Sequence, residues 1–237
     1  MSPEGPIGEP VPGWTPPPWP GPMRLEGRYV RLDPLMPVHA PALFAANRID
    51  DSIWDYLPYG PFADEDSYHA WVEKVAGDAD PLFFSITDLA RGTPAGVASL
   101  LRINPDAGSI EVGHICLSPS IQRTRAASEM VFLFSDWVFR AGYRRFEWKC
   151  DALNRPSRRA AQRFGFSWEG VFRQHVVVKG RNRDTAWFAM TDGDWGCLRL
   201  AWESWLAPAN FDGDGRQRQD LGSLTKPCLV SSDPLLS

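Results

Sequence analysis

Apolar and polar residues alternate with two distinct periods along most of the chain. Tyr29-Val30-Arg31-Leu32 alternates as a short strand, and residues 39–48 suit a helix. Residues 52–62 form an irregular aromatic stretch containing Pro58 and Pro61. Asp64 then stands as the N-cap of a helix that carries Tyr68, Trp71 and Val75 on one stripe. Three strand-like runs follow, at residues 82–87, 95–103 and 109–117. Arg91-Gly92-Thr93-Pro94 and Asn104-Pro105-Asp106-Ala107-Gly108 separate them with turn chemistry, which predicts three consecutive antiparallel strands.

After Ser118-Pro119 the period changes from two to nearly four. Ala127, Met130 or Val131, Phe134, Trp137 or Val138, and Ala141 recur on one face, so the spacing predicts a buried amphipathic helix ended by Gly142. Residues 146–151 read as a strand. Asn154 or Ser157 caps a second helix that runs through Arg163 and stops at Gly165. A hairpin is expected from residues 171–179 and 185–190 around Gly180-Arg181-Asn182-Arg183-Asp184. Asp192 or Asp194 then caps a helix bearing Trp195, Leu198, Trp202 and Trp205. The sum is one α/β (α+β) domain, a mixed and mostly antiparallel sheet of six to seven strands flanked by helices. It is expected over residues 24–207. Residues 1–23, rich in Pro and Gly, form an arm unable to hold a helix or central strand, and residues 208–237 turn polar and are expected to be loosely held.

Composition narrows this picture. At 237 residues, 43% of them hydrophobic, the chain can bury one substantial core. A net charge of −4 gives no overall attraction to phosphate backbones, so no nucleic-acid partner is expected unless a local patch supplies one. No basic segment precedes an apolar run, and no uncharged stretch approaches the ~18 residues of a membrane span, which leads to the expectation of a cytoplasmic protein without a membrane partner. Cys116, Cys150, Cys197 and Cys228 form no CxxC pair, so they are expected to be reduced and mostly buried, with no metal site. A nucleophilic role for Cys116 beside His114 competes with a plain core role, and the core role is preferred.

The chemistry concentrates in residues 110–170, read as strand, Pro turn, helix, strand and short helix. A helix start offers unpaired N–H groups and a positive dipole end, which suit an anion such as a pyrophosphate. Gln122-Arg123-Thr124-Arg125-Ala126-Ala127 lies at that start with two cations and small residues; it could equally serve only to cap the helix. This hexapeptide resembles the acyl-CoA pyrophosphate loop of the GCN5-related N-acetyltransferases (GNAT), Gln/Arg-x-x-Gly-x-Gly/Ala. Asn154-x-x-Ser157, Arg163-Phe164-Gly165-Phe166 and Glu169-Gly170 resemble the second half of the cofactor site in the Rim-type branch, which acetylates ribosomal-protein N-termini. Gly180 to Asp184 and Asp192 to Trp195 are similar to that branch's ending, and the resemblance covers about residues 25–195.

The resemblance implies acetyl-CoA or another acyl-CoA as co-substrate, an amine acceptor, and direct transfer in a ternary complex. It also implies that the strands at 110–117 and 146–151 splay apart to let the pantetheine arm pair like an extra strand. Asn154 would then bind that arm, or simply cap a helix. Ser157 would protonate the leaving thiolate, or serve only at the helix start. Arg158, with Arg155 and Arg159, would approach the phosphates or remain a solvated face. Glu111 and His114 are candidates for handling the amine proton, with Glu169 and Asp184 behind them; strict alternation places Glu111 and His114 on opposite faces. Arg125 departs from the family pattern, since it replaces the second key residue, a glycine. It either adds a charge-assisted contact to coenzyme A or blocks the site, leaving a noncatalytic relative. A third reading is an RNA-associated protein using Arg140, Arg144, Arg145, Arg155, Arg158 and Arg159. A homodimer is left open.

Overall fold

The computed structural model describes residues 7–236; Met1 to Pro6 of the Pro/Gly-rich arm and Ser237 lie outside the described residues. In chain order the elements are β1 (Leu25–Glu26), β2 (Val30–Pro34), α1 (Ala40–Asn47), α2 (Glu65–Val75), β3 (Leu82–Asp88), β4 (Pro94–Asn104), β5 (Ser109–Leu117), α3 (Arg125–Arg140), β6 (Arg145–Asp151), α4 (Arg155–Arg163), β7 (Ser167–Val178), β8 (Arg181–Thr191), α5 (Asp192–Leu206) and α6 (Leu221–Thr225). The eight strands order as β1-β2-β3-β4-β5-β6-β8-β7. Sequence reading expects six to seven strands. The eighth is β1, whose two residues pair with Leu32 and Arg31 and are too few to show a period.

Every neighbouring pair is antiparallel except β5 and β6. These two pair in parallel only from Ser109 opposite Arg145 to Val112 opposite Trp148. Beyond that point they part, as expected. β5 also carries a bulge: Val97 faces Cys116 while Ser99 faces Gly113, so three steps on β5 match two on β4. His114 sits at this irregularity with φ 50. The bulge exchanges the faces of the strand. Val112 enters the core beneath α3, whereas Cys116 enters the core beneath α1 and α2.

The larger core packs α3 and α5 against one face of the sheet, with Phe84, Phe134, Phe146 and Trp202 fully buried. The smaller core holds Leu43, Tyr68, Val72 and Phe83 on the other face. Several ends obey local capping rules. Asp64 accepts from Ser67 N, and Asn154 Oδ1 accepts from Ser157 N at 3.0 Å. At α5 the cap is Thr191, one residue before the expected Asp192, and Asp194 reaches back to its N–H. The β7–β8 hairpin turns tightly on Lys179 (φ 49) and Gly180 (φ 72), so Arg181 to Asp184 lie in β8 and not in a loop. Two consecutive left-handed residues match the twist of a hairpin and make a longer turn unnecessary.

Two expectations about the flanks are corrected. Residues 208–236 are not loosely held: Leu221, Thr225 and Asp233 are fully buried, and Val230 N donates to Ser167 Oγ. Cys197 and Cys228 form a disulfide that ties α5 to this segment, so only Cys116 and Cys150 are free and buried. A spacing of 31 residues carries no local signature that sequence reading could use. The described part of the arm drapes over the surface, where Pro18 O accepts from Tyr143 Oη at 3.0 Å. Among the described residues no helix is long and apolar enough to cross a membrane, and no group of three or more His, Cys, Asp or Glu is placed to hold a metal ion.

Candidate active site

A cleft of about 1890 Å³ opens where β5 and β6 part, and runs from the start of α3 to the β7–β8 hairpin. That exceeds the ~300–1,000 Å³ usual for one small ligand, which leaves room for two.

At one end lies the loop of residues 122–127. Gln122 Nε2 donates to Leu117 O, and Thr124 Oγ1 caps α3 by accepting from Ala127 N at 3.2 Å while donating to Ile121 O at 2.6 Å. The N–H groups of Gln122, Thr124 and Ala127 are thereby used within the protein. Those of Arg123, Arg125 and Ala126 have no acceptor among the described residues, at the positive end of a 16-residue helix. Arg123 makes the reversal with φ 60 and exposes its side chain to the cleft. Arg125 does not lie across the loop: its guanidinium stacks between the rings of Tyr29 at 4.6 Å and Phe211 at 4.7 Å. Such a stack leaves the in-plane N–H groups of the guanidinium free to donate. Phe211 belongs to the C-terminal segment, so no sequence pattern near the loop could announce it.

Farther in, α4 packs beside β6. Ser157 Oγ accepts from Trp148 Nε1 at 3.0 Å, which occupies an acceptor site and leaves the hydroxyl proton to be given elsewhere. Asn154 and Ser157 both line the cleft, with Asn154 Oδ1 already committed to the cap. Cys150 lies beside Ser157, and burial pushes its thiol up to about 11. Burial likewise pushes Cys116 up to about 12, so neither is a thiolate at neutral pH and the nucleophile reading of Cys116 fails. Arg158 is also corrected. Its guanidinium is buried in a bidentate pair with Asp233, at 2.7 and 2.6 Å, and donates to Ala152 O, so it does not face the cleft. Arg159 does line the cleft, and Arg155 is exposed outside it.

The far end holds the proton-handling candidates. Glu111 is buried, and both its oxygens lie 2.8 Å from Arg102 Nη1, with Lys149 Nζ 2.9 Å from one of them. Lys149 also meets Glu147 at 2.6 Å, and Arg145 joins Glu147 to Glu169. Six alternating charges thus cross the sheet from β4 to β7. Burial alone would raise Glu147, but Arg145 and Lys149 hold its carboxyl below the ordinary range. Glu111 is therefore a structural counter-ion, and Glu169 ends the same chain. Asp184 accepts from Gln174 N and Asn182 Nδ2, away from the cleft lining. Because of the bulge, His114 lines the same cleft as Glu111, contrary to simple alternation. It stacks on Tyr59 at 5.6 Å, and burial, with the charges of Arg102 and Arg183, lowers its imidazole to about 4. Lys149, Arg102 and Arg183 were not legible as site residues, because nothing local in the sequence relates β4, β6 and β8.

Comparison with known proteins agrees with this geometry. Residues 30–167 match the family model for the acetyltransferase (GNAT) domain. The chain is similar to a GCN5-related N-acetyltransferase from Brucella melitensis, with 47% identity, 91% of this chain and 100% of that one covered, and a TM-score of 0.89. It is similar also to a probable acetyltransferase of the GNAT family from Chromobacterium violaceum, at 40% identity, covering 83% of this chain and 100% of that one, TM-score 0.76. RimL, the ribosomal L7/L12 alpha-N-protein acetyltransferase, shares the fold at 22% identity, with 71% of this chain and 94% of that one covered and a TM-score of 0.61. No curated protein matches the chain significantly.

Proposed function

Because the chain belongs to the GNAT acetyltransferase family, we propose that it transfers an acetyl group from acetyl-CoA to a primary amine, on a peptide or protein N-terminus or on a small molecule. The observation that carries this reading is the one cleft joining a helix start with three N–H groups free among the described residues to a hydroxyl that accepts from an indole N–H. The donor groups suit the co-substrate. Arg123, Arg125 and Ala126 would offer their N–H groups, and Arg123, Arg125 and Arg159 their charge, to its phosphates. Asn154 and the unpaired edges of β5 and β6 would meet the amide-bearing arm.

The thioester supplies an activated acyl carbon, and the amine nitrogen forms the new C–N bond there as the C–S bond breaks. Ser157 gives its proton to the departing sulfur, and the proton that the nitrogen sheds as the amide forms passes through water to restore the Ser157 hydroxyl. The amine must arrive neutral. His114, unprotonated at physiological pH, accepts the ammonium proton only in passing and hands it to water, since its surroundings disfavour the imidazolium. Holding both reactants in one cleft does much of the rest. Arg125, stacked off the loop, supports a catalytic relative over a blocked one. The Rim-type assignment remains part of this proposal, as does a cytoplasmic location. In that compartment the Cys197–Cys228 disulfide would be exposed to reduction.

The test is release of free coenzyme A thiol from several acyl-CoAs against a panel of amines and N-terminal peptides, beside a calorimetric titration with acetyl-CoA. Amine-dependent thiol release is expected. Absence of acetyl-CoA binding by a folded protein would reject the reading.

A further inference from the structure

The acyl-transfer end of the cleft contains three cations near His114. Two are neutralised: Arg102 and Lys149 share Glu111, and Lys149 also meets Glu147. The third, Arg183 on β8, lines the cleft with no carboxylate within ion-pair reach among the described residues. Its Nε is buried and has no hydrogen-bond acceptor among the described residues. Nearby acids are engaged elsewhere. Asp184 accepts from Gln174 N and Asn182 Nδ2, and Asp151, which pairs in register with Thr185, accepts from Leu153 N. Thr185 itself is bonded to His175 Nδ1 at 3.0 Å.

A buried donor on a fixed positive charge costs stability unless something accepts from it. Arg183 is close enough for its charge to bear on both His114 and Cys150, and Cys150 lies beside Ser157. The guanidinium thus lines the same cleft as Ser157 and His114, where the amine and the thioester would meet. A guanidinium offers a planar fork that fits a carboxylate through two parallel hydrogen bonds.

We propose that Arg183 binds a carboxylate carried by the acceptor, so that the amine acetylated here is an anionic, amino-acid-like one. This rests on the transferase reading above and deepens it. Arg183 acts as a specificity-determining residue: it orients the acceptor from β8 while its amine faces Ser157 and His114. The Glu111 cluster keeps Arg102 and Lys149 from competing for the carboxylate.

The experiment compares an α-amino acid with its amide in thiol release with acetyl-CoA, with kcat/KM expressed per neutral amine because the amide's ammonium group is the more acidic. Wild type, Arg183→Gln and Arg183→Lys are each measured. A charged hydrogen bond worth ~1.5–3 kcal/mol corresponds to a preference of roughly 10- to 150-fold in kcat/KM. Wild type is expected to favour the acid by that ratio, Arg183→Gln to bring the ratio close to one, and Arg183→Lys to keep part of it. A ratio near one in the wild type, or one unaltered in Arg183→Gln, overturns the proposal.

Binding is read separately by thermal shift, with the N-acetylated acid and its amide in the presence of coenzyme A. Selective stabilisation by the acid that is lost in Arg183→Gln, without thiol release, would reject the transferase and retain the subsite. Equal stabilisation by acid and amide overturns the subsite whatever the rates. A final arm uses a neutral amine with succinyl-CoA and acetyl-CoA. If Arg183→Gln selectively slows the dicarboxylic thioester, the carboxylate belongs to the acyl chain and the acceptor assignment is overturned.

Discussion

Ser157 shows how one contact changes the meaning of a residue. The cap of α4 is Asn154, and the Ser157 hydroxyl faces Trp148 Nε1 instead. Ser157→Ala is therefore expected to cost about 1–3 kcal/mol through the orphaned indole N–H. If Ser157 is the acid, turnover per folded molecule also falls by ~10²-fold or more with acetyl-CoA affinity nearly intact. Full turnover alongside a lowered melting temperature would remove the acid role. His114 gives a prediction of the opposite kind. Its folded-state pKa, about 4, lies below the ordinary 6.5, so an unfolded chain takes up a proton first as pH falls. The His114 contribution to stability is complete above about 6.5 and is lost between there and about 4. His39 is lowered by burial and acts in the same direction. Urea melts across that window should show a slope that His114→Gln reduces and His39→Gln reduces separately. At this scale the sequence indicates residue types well and partners poorly: Asn154 and Thr124 cap as their positions suggest, but Arg158 meets Asp233 across 75 residues.

Elements were legible wherever period and punctuation agreed. α3 was, with its apolar face and terminal Gly142, and so were β3, β4 and β5 between turn residues. The bulge in β5 was not, because one extra residue leaves no mark in a pattern of period two until the partner strand is known. Another feature hidden from pattern reading is Glu129, a buried acid on the core side of α3. Its carboxylate accepts from the N–H groups of Arg28, Tyr29 and Val30 at 2.9, 2.6 and 3.0 Å. A Cβ at Gly27 would collide with that carboxyl, which its three hydrogen bonds hold in place, so glycine permits the close approach. Glu129 thus fixes the start of β2 onto α3, the helix that begins at one end of the cleft. Glu129→Gln, which replaces one acceptor oxygen by a donor, should cost about 1.5–3 kcal/mol in denaturant unfolding. Unchanged stability would mean that the turn is held by its backbone alone.

Across the whole molecule, residues 208–236 complete the site instead of trailing from it. Phe211 stacks on Arg125 at one end of the cleft, and Asp233 neutralises Arg158 inside the helix that carries Ser157. Asp233→Ala leaves that arginine charge buried and unpaired, and a loss of ~3–5 kcal/mol is expected from thermal or chemical unfolding. A much smaller loss would mean that the arginine escapes to solvent. The parting of β5 and β6 beyond Val112 and Trp148 has a further consequence, for the way the protein meets solvent. Backbone groups turned into that gap have no strand partner among the described residues and are left to water, which the proposed amide-bearing arm would replace. In deuterium oxide, amides on the facing edges of 113–117 and 149–151 should exchange rapidly, while those locked in Ser109 to Val112 exchange slowly. Adding acetyl-CoA should slow the first set selectively, giving a residue-by-residue imprint of the arm that can be obtained before any acceptor is known.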